Sequence, residues 1–386
     1  MKLLVIGAGM MGSSAAYDMA RCAQVEAVTL ADTDTKRAED AASRINKMVP
    51  GKKVKATGID ASSRRDAVKK MRGHDGTLSA VPYFYNLGLA EAAIDAQNHF
   101  ADLGGNNTVV RQEIALDKLA AKKGVGLAPD CGLSPGMASV LGGELMRRIG
   151  GKADALKIYV GGLPQDPRAP FNYQLVFSVE GLINEYAEPA RILRNGKLIT
   201  IEPLTEIEEF KIPGFPAALD AFHTSGGTST MPETFGKNVG ECFEKTLRYP
   251  GHVQMIRSLY DLGLFSKEKR KIGKVEISPR ALMSDLMIEK FSGDKPDVTV
   301  MRVEAHRGRQ LAAFTMVDKY NPKTKHTSMM RTTAWPASVV LQMMANGEIT
   351  KRGAVLQERD VPAQQFLNEM AARGVELTYS LEEAQG

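Results

Sequence analysis

Cysteine is scarce in this sequence, and its spacing excludes the sites that usually depend on it. Only three of the 386 residues are cysteines, Cys22, Cys131 and Cys242, and they form no C-x-x-C pair. This usage excludes a disulfide framework and a cysteine-bound zinc, and it is typical of reduced thiols in a cytosol. Most of the six histidines also lack ligand-like spacing, so we expect no metal centre.

Long hydrophobic runs and a strong charge of one sign are absent as well. No apolar run approaches the ~20 residues that a membrane helix needs. The net charge is +5, from 50 basic and 45 acidic residues, and the basic cluster Lys267–Lys271 predicts a solvated loop rather than a nucleic-acid patch. The apolar stretch Leu3–Ile6 leads directly into a glycine turn, which predicts a buried strand rather than a signal peptide. We expect a cytoplasmic protein without membrane or nucleic-acid partners.

A glycine-rich turn follows that first apolar stretch. The sequence has the form G-x-G-x-x-G, with Met10 and Met11 between the second and third glycines. Gly7 permits the tight turn, Gly9 lets backbone amides approach a diphosphate, and Gly12 lets the following helix pack closely on the strand. The positive N terminus of that helix then faces the phosphates.

An acidic residue stands at the end of the next predicted strand. That strand, Ala27–Leu30, leads to Asp32, which follows Gly12 by 20 residues. A carboxylate at this position accepts hydrogen bonds from the adenosine ribose hydroxyls and repels a 2′-phosphate. The order strand, glycine turn, helix, strand, acid therefore predicts an NAD site. The alternative is a glycine turn that merely connects a strand and a helix in a nucleotide-free domain.

Strands and helices continue to alternate up to residue 132, which predicts an open parallel sheet with right-handed crossovers. The further predicted strands are 53–59, 76–81, 100–102 and 125–129. After Gly132 the pattern changes. A helix is predicted from Ser134-Pro135 to Arg148, and strands are predicted at 156–161, 173–179, 191–194, 197–201, 298–306 and 311–320.

The predicted fold class is α/β, with a Rossmann-type doubly wound parallel sheet and a second α+β domain that contains a mixed or antiparallel sheet. We place the dinucleotide-binding domain at residues 1–132, completed by 331–386, and the substrate-binding and oligomerisation domain at 133–330. Predicted helices at 336–345 and 362–373 lie in the returning segment.

Several sequence blocks resemble the saccharopine dehydrogenase-like family in its reductase-type branch. The most specific are Pro129–Gly136, which reads P-D-C-G-L-S-P-G, and Glu180–Pro189, which reads E-G-L-I-N-E-Y-A-E-P. Shorter blocks are Asp102–Gly105, Arg248–His252 and Arg331–Thr333. The resemblance spans about residues 1–375. It implies a homo-oligomer that acts on a small amino-acid substrate.

The resemblance also implies an NAD-dependent oxidation at a carbon that bears an amine. The chain looks most like members that oxidise the ε-amine of L-lysine, which releases ammonia and gives an ω-aldehyde that cyclises. Members acting on saccharopine or carboxynorspermidine are one alternative, and a catalytically silent NAD-binding sensor is another. A sugar-type oxidoreductase is disfavoured because Ala80-Val81-Pro82 stands where that group has Glu-Lys-Pro.

Residues that close the parallel strands are positional candidates for cofactor binding, because dinucleotides bind outside the carboxyl ends of such strands. Ala80, Val81 and Pro82 close the fourth strand, where ribose and nicotinamide are expected. Asp60 closes the third strand and either approaches the adenine or caps a helix. Cys131 closes the sixth strand beside the nicotinamide, as a packed thiol rather than a nucleophile.

Three candidates for the chemistry come from segments next to the parallel sheet. Asp130 is positioned to hydrogen-bond the substrate amine, and its alternative is a turn aspartate. Tyr83 follows Pro82 and either reaches the substrate or packs in the core. Arg331 either binds substrate or caps the returning helix.

Three further candidates lie in the second domain. Arg248 belongs to a family block and is our candidate for binding a substrate carboxylate, since a guanidinium pairs well with that group; a surface ion pair is the alternative. His252 is the candidate for proton transfer, with a structural role as its alternative. Thr228 either lines the pocket or belongs to a flexible loop.

Overall fold

The chain divides into two units in the computed structural model, which describes residues 1–293 and 295–383. Unit 1 comprises residues 1–144, 322–326 and 330–375. Unit 2 comprises residues 145–321 and 327–329 and the described residues after 375. Our sequence-based boundary at residue 132 marks where the parallel-strand pattern stops, whereas the contacts keep the next helix in unit 1 as far as Glu144.

Strands and helices alternate through the first part of unit 1. The elements are β1 (Lys2–Ile6), α1 (Met10–Arg21), β2 (Ala27–Asp32), α2 (Thr35–Met48), β3 (Val54–Gly58), α3 (Arg64–Met71), β4 (Gly76–Ser79), α4 (Asn86–Ala96), β5 (His99–Asp102), α5 (Asn107–Ala115), α6 (Asp117–Lys122), β6 (Gly126–Ala128) and α7 (Ala138–Arg148). Side-chain caps begin several of these helices; for example, Asn106 accepts hydrogen bonds from the backbone N–H of Thr108 and Val109 at the start of α5.

Unit 2 is built mainly of strands, with helices between them. The elements are β7 (Ala153–Pro164), α8 (Val179–Ala187), β8 (Ala190–Arg194), β9 (Lys197–Ile201), β10 (Glu208–Lys211), β11 (Ala218–His223), α9 (Met231–Phe235), β12 (Val239–Arg248), α10 (His252–Asp261), β13 (Arg270–Ile272), β14 (Val275–Ile277), α11 (Pro279–Phe291), β15 (Asp297–Arg307) and β16 (Gln310–Lys319).

The last part of the chain contributes to the sheets of both units. Its elements are α12 (Ser328–Ala345), β17 (Gly353–Ala354), α13 (Gln357–Asp360), α14 (Ala363–Ala372) and β18 (Thr378–Glu383). β17 pairs in parallel with β6 in unit 1, and β18 pairs antiparallel with β16 in unit 2.

The sheet of unit 1 has the strand order β17-β6-β5-β4-β1-β2-β3, and all its pairs are parallel. Leu4 and Ile6 of β1 are fully buried and pack in one core with Leu89 and Ile94 of α4. The predicted Rossmann-type parallel sheet is therefore confirmed. Its order reverses direction beside β1, which places the ends of β1 and β4 at the switch point where nucleotides bind in such sheets.

The main sheet of unit 2 is mixed, as predicted. Its order is β10-β11-β12-β7-β15-β16-β18, β12 and β7 are parallel, and the other described pairs on this path are antiparallel. Phe222 of β11 packs in a core with residues of α8, α10 and α11, whereas Leu219 and Leu247 pack in a second core. Thr246 is the cross-strand partner of Phe222, so alternate residues of β12 on its side, including Glu244 and Arg248, share the face under the three helices.

Two sequence predictions about local structure are wrong. Residues 173–178 form no strand: Leu175 makes an isolated backbone bond to Phe291, and Val179 begins α8. The helix predicted from Ser134 begins only at Ala138, because residues 134–136 have non-helical backbone angles, with a φ of +118° at Gly136. β12 was not predicted at all.

None of the helices in the described part of the chain is long and apolar enough to cross a bilayer. Among the same residues, no group of histidine, cysteine and carboxylate side chains is arranged to hold a metal ion.

Candidate functional site

The glycine turn of unit 1 packs so tightly that two of its glycines cannot be replaced without movement. Gly7 has a φ of +101°, and a Cβ there would lie 2.6 Å from the carbonyl oxygen of Ala80. A Cβ on Gly12 would lie 1.8 Å from the carbonyl oxygen of Gly7. Gly9, in contrast, has no atom within 4 Å of where its Cβ would stand. The turn is therefore closed towards the sheet and open above the start of α1.

The start of α1 suits an anionic group. Gly9 is the N-cap residue and no side chain caps the helix, so its first N–H groups have no side-chain acceptor. Met10 is exposed and Met11 is half-buried at this end. An uncapped helix N terminus beside open space is a ready site for phosphate oxygens. The residues present therefore fit the diphosphate of a dinucleotide.

Asp32 is held next to this turn by backbone hydrogen bonds. Its Oδ2 accepts from the N–H of Ala8 at 2.7 Å, and its Oδ1 accepts from the N–H of Asp34 at 2.9 Å. The carboxylate is buried, yet each oxygen keeps a second lone pair for a ribose hydroxyl. Sequence analysis predicted the ribose contact but missed the bond to Ala8, which makes Asp32 part of the turn itself.

The ends of β4 and β3 differ in their relation to the turn. Ala80 donates its N–H to Ile6, and Ala80 and Val81 both lie against the position that a Gly7 Cβ would take. Pro82 leads into a short helical turn at 83–85. Asp60 is exposed and accepts from both the N–H and the hydroxyl of Ser62, and these bonds lower the pKa of its carboxyl. Contact between Asp60 and adenine stays a prediction.

The ends of β5 and β6 are joined through a buried aspartate. Asp102 accepts from the N–H of Gly104 at 2.6 Å and of Asp130 at 3.2 Å. Asp130 is buried with a φ of +59°, and a Cβ on Gly104 would lie 1.7 Å from its carboxylate. A Cβ on Gly105, the next residue, would lie 3.4 Å from the Cβ of Tyr83. The structure thus brings Asp130 and Asp102 together and places Tyr83 beside the same loop.

Cys131 is buried beside this loop, and its surroundings disfavour the thiolate form that a nucleophile needs. Its thiol donates to the carbonyl of Ala128 at 3.3 Å and accepts from the side-chain amide of Gln357 at 3.1 Å. Burial raises the pKa of the thiol far above its ordinary value, which the Gln357 bond only partly opposes. A small packed thiol is what the sequence analysis expected there.

Glu113 is a buried acid that sequence analysis missed. It lies on α5 with 1% exposure, and its carboxyl faces that of Asp102. Burial, and then the charge of Asp102, raise the pKa of Glu113 far above its ordinary value. Both effects favour the protonated, neutral form of the Glu113 carboxyl. Nothing in the sequence around Glu113 indicates that its side chain is buried beside Asp102.

Arg248 is the centre of a polar cluster inside unit 2. It is only 3% exposed, its Nε donates to the Tyr186 hydroxyl at 3.0 Å, and its Nη1 donates to the carbonyl of Leu247 at 3.0 Å. The guanidinium carbon lies 4.9 Å from the ring centre of Tyr173. Among the described residues, Nη2 has one carboxylate within 4 Å, that of Glu185 at 3.9 Å. The arginine is therefore not a surface residue, and it keeps unused donors.

His252 is connected to Arg248 through Tyr186. Its Nδ1 donates to the carbonyl of Phe171 at 2.8 Å, and its Nε2 accepts from the Tyr186 hydroxyl at 3.0 Å. Burial and the nearby Arg248 charge lower the pKa of the imidazole to about 3, so the ring is neutral. Both nitrogens are occupied, which describes a positioning group; proton transfer by His252 stays a prediction.

Two glutamates that were not predicted as site residues accompany Arg248: Glu244 is buried and Glu185 is half-buried. Glu244 accepts from the hydroxyls of Thr224 at 3.0 Å and Thr246 at 3.2 Å, and burial raises the pKa of its carboxyl to about 8. Burial also raises the pKa of Glu185 to about 7, against the opposing charge of Arg248.

Two other candidates lie elsewhere. Thr228 donates its hydroxyl to the carbonyl of Arg191 at 3.1 Å. Arg331 belongs to unit 1, where its Nη2 donates to the carbonyl of Gly374 at 2.8 Å and its guanidinium stacks near Trp335. These contacts stabilise the local backbone structure. A substrate role for either residue stays a prediction.

The parallel sheet, the glycine turn and the placement of Asp32 define a Rossmann-type dinucleotide-binding fold, to which a second domain is added. Family profiles identify it further. "Saccharopine dehydrogenase NADP binding domain" matches residues 3–127, and "Saccharopine dehydrogenase C-terminal domain" matches residues 132–375. The chain therefore belongs to the saccharopine dehydrogenase family, and the resemblance inferred from sequence is confirmed.

Curated relatives are distant and longer. The chain is 26% identical over 235 residues to saccharopine dehydrogenase [NADP(+), L-glutamate-forming] of Schizosaccharomyces pombe, covering 59% of this chain and 50% of that protein. It is 25% identical to the alpha-aminoadipic semialdehyde synthase of Arabidopsis thaliana, over 61% of this chain and 23% of that protein. The match thus spans half or less of these relatives.

Two solved structures share the fold. The apo saccharopine dehydrogenase (L-Glu forming) of Saccharomyces cerevisiae superposes with a TM-score of 0.78 at 17% identity and covers 99% of both chains. The homospermidine synthase of Legionella pneumophila, in complex with NAD, gives 0.69 at 12% identity and covers 99% of this chain and 91% of that one.

Proposed function

We propose that this protein is an NAD-dependent amino-acid dehydrogenase that oxidises the ε-amine of L-lysine, a lysine 6-dehydrogenase activity. The observation that carries the proposal is Arg248, a buried guanidinium with unused donors in the unit that does not contain the nucleotide turn. A buried arginine of this kind suits a carboxylate ligand, because the pair forms charge-assisted hydrogen bonds away from water.

The number of available arginines favours a substrate with one carboxylate. The other buried arginines in the described part of unit 2 are occupied: Arg280 binds Glu180 and Asn184, and Arg302 binds Glu304 and Thr315. Lysine carries one carboxylate, whereas saccharopine carries three. The saccharopine reaction named for the relatives is therefore our second candidate.

Asp32 supports NAD rather than NADP as the cofactor. Its carboxylate stands at the ribose position and opposes a 2′-phosphate. The nearby cations Lys36 and Arg37 are exposed and pair with Asp40 at 3.0 Å and Asp34 at 3.9 Å, so their charges are partly neutralised. The family profile and the S. pombe relative are named for NADP, which makes cofactor preference a direct test of this point.

The proposed reaction balances without another cofactor. The carbon that bears the neutral ε-amine loses a hydride, that is, one proton and two electrons. The amine thereby becomes an iminium ion. NAD supplies the two-electron oxidant. Water then adds to the iminium carbon, and ammonium leaves to give the ω-aldehyde. The protein has to hold the amino acid by its carboxylate and admit one water molecule.

The test is NADH absorbance with purified protein and a panel of lysine, ornithine, saccharopine and carboxynorspermidine. We expect the highest kcat/KM with lysine and NAD. If saccharopine or carboxynorspermidine is turned over faster than lysine, that compound is the substrate and the assignment of lysine is wrong. NADH from none of them would favour a catalytically silent nucleotide-binding protein.

A further inference from the structure

In unit 2, Arg248 and two neighbouring side chains each have a polar group that forms no hydrogen bond to the described residues. The Nη2 of Arg248 has Glu185 at 3.9 Å, which is too long for a hydrogen bond. The carboxylate of Glu185 accepts no hydrogen bond from the described residues. The hydroxyl of Tyr173, which is 8% exposed, has no hydrogen-bond partner among them either. Buried groups of this kind cost stability unless something pairs with them.

Glu185 differs from the other buried carboxyl in the cluster. Glu244 is 3% exposed and is already satisfied by two threonine hydroxyls. The side chain of Glu185 stays 30% accessible, although enough protein surrounds it to raise the pKa of its carboxyl. Glu185 is therefore the carboxyl of the cluster that solvent partly reaches, whereas Glu244 is buried.

The fold holds Glu185 in this position from two sides. The next residue on α8, Tyr186, is fixed by its bonds to Arg248 and His252, which sets the rotation of the helix. The backbone carbonyl of Glu185 accepts from the N–H of Ser225, in the loop after β11. The carboxylate is thus presented to Arg248 by a rigid backbone rather than by a mobile surface helix.

We propose that Glu185 and Arg248 together bind the head group of an α-amino acid. Glu185 accepts hydrogen bonds from the α-ammonium, and Arg248 donates hydrogen bonds to the α-carboxylate. The Tyr173 hydroxyl forms a further hydrogen bond to the head group. This rests on the proposed function in taking an amino acid as the substrate, and it adds the residue that selects amino acids over plain carboxylates. The ammonium and carboxylate of the ligand are attached to the same carbon atom, and so a cation and an anion only 3.9 Å apart match them.

The experiment compares L-norleucine with hexanoate, which have the same six-carbon chain and differ by the α-ammonium. Each is titrated calorimetrically into the full chain saturated with NADH, so that no oxidation occurs. We expect norleucine to bind about 10- to 100-fold more tightly than hexanoate, the factor that a charge-assisted hydrogen bond provides. Equal affinity, or no binding of norleucine, overturns the proposal.

The variant Glu185→Gln tests the assigned residue, and Glu188→Gln is its matched control. Glu188 follows on the same segment, is 29% exposed and pairs with Lys267 at 3.5 Å. Glu185→Gln should remove the preference for norleucine and leave hexanoate binding unchanged, whereas Glu188→Gln should change neither. If Glu185 only supports Arg248, both ligands weaken equally in Glu185→Gln, and the proposal is wrong. The Tm of each variant shows whether it folds.

Lysine turnover, measured separately, distinguishes this proposal from the proposed function. If lysine yields NADH but norleucine and hexanoate bind equally well, the head-group site is wrong and the proposed dehydrogenase activity stands. Discrimination that is lost in Glu185→Gln, without NADH formation from lysine, would support the head-group site and overturn lysine oxidation.

Discussion

Tyr186 donates its hydroxyl hydrogen to Nε2 of His252 across 3.0 Å inside unit 2. Because the other ring nitrogen donates to the carbonyl of Phe171, this bond fixes His252 as the neutral Nδ1–H tautomer. The same hydroxyl oxygen accepts from Arg248, so His252 orients the arginine through the tyrosine. The geometry makes the histidine a support for the side chain of Arg248.

Replacing His252 should therefore affect binding more than proton transfer. In His252→Asn, loss of the bond to Tyr186 should cost about 1–3 kcal/mol of stability and raise the KM for lysine. Because burial lowers the pKa of His252 to about 3, no histidine titration should appear in kcat/KM between pH 5 and 8. An acidic limb near pH 6–7 that disappears in the variant would restore His252 as the proton-transfer group.

Arg248→Ala should weaken substrate binding and leave cofactor binding unchanged. Loss of a charge-assisted bond to the carboxylate is worth roughly 1.5–3 kcal/mol, or about 10- to 100-fold in KM. Arg248→Lys keeps the charge and guards against misfolding. Arg257→Ala, on the outer face of α10, is the matched control. An unchanged KM in both Arg248 variants, measured with the dissociation constant for NAD, would remove Arg248 from the site.

Asp32→Asn should narrow the preference for NAD over NADP. The change removes the charge that opposes a 2′-phosphate but keeps an acceptor oxygen for the N–H of Ala8. We expect kcat/KM to fall for NAD and to rise relative to it for NADP, while Glu26→Gln, at an exposed residue before β2, changes neither. Wild-type turnover with NADP equal to or better than that with NAD would contradict the assigned role of Asp32.

Glu113 should make the protein less stable as the pH rises. The folded state keeps its proton above the pH at which the unfolded chain releases it, near ~4.3. Stability from this group is thus complete below that pH and declines above it, by up to about 1.4 kcal/mol per pH unit. Since glutamine does not titrate, Glu113→Gln should gain stability over wild type progressively from pH 5 to pH 8.

Denaturant unfolding at several pH values measures this effect, with the exposed Glu39→Gln as the control. A difference between Glu113→Gln and wild type that does not change with pH would show that Glu113 is ionised in the folded protein.

Lysine oxidation should accelerate with alkaline pH. Hydride leaves readily only from a carbon that bears a neutral amine, and the ε-ammonium has a pKa near ~10.4. Initial NADH rates from pH 6 to 10 should rise across the range, with NAD affinity measured alongside to separate cofactor effects. A maximum below neutrality would argue against an amine donor.

The candidate nucleotide site of unit 1 could be predicted from the sequence because its sequence signals are local. The glycines, the helix and Asp32 stand in a fixed order along one segment, and steric contacts at Gly7 and Gly12 explain that order. The parallel sheet follows from the repeated alternation of strands and helices. The extra bond from Asp32 to Ala8 is not local, and only the fold shows it.

The polar cluster around Arg248 in unit 2 depends on contacts that no local sequence pattern encodes. β12 carries charged residues that usually indicate a solvated segment, yet Glu244 and Arg248 are buried because Thr224 and Tyr186, from other elements, satisfy them. The segment 173–178 has strand-like residues but no partner strand, and Tyr173 instead packs on Phe291. Glu185 looks like any surface glutamate until Arg248 is placed beside it.

In the proposed reaction, the carbon bearing the ε-amine of lysine gives its hydrogen to NAD. L-lysine carrying two deuterium atoms on that carbon tests this step through the mass of the NADH formed. We expect singly deuterated NADH in a one-to-one ratio with released ammonia. Unlabelled NADH, or no NADH at all, would contradict it.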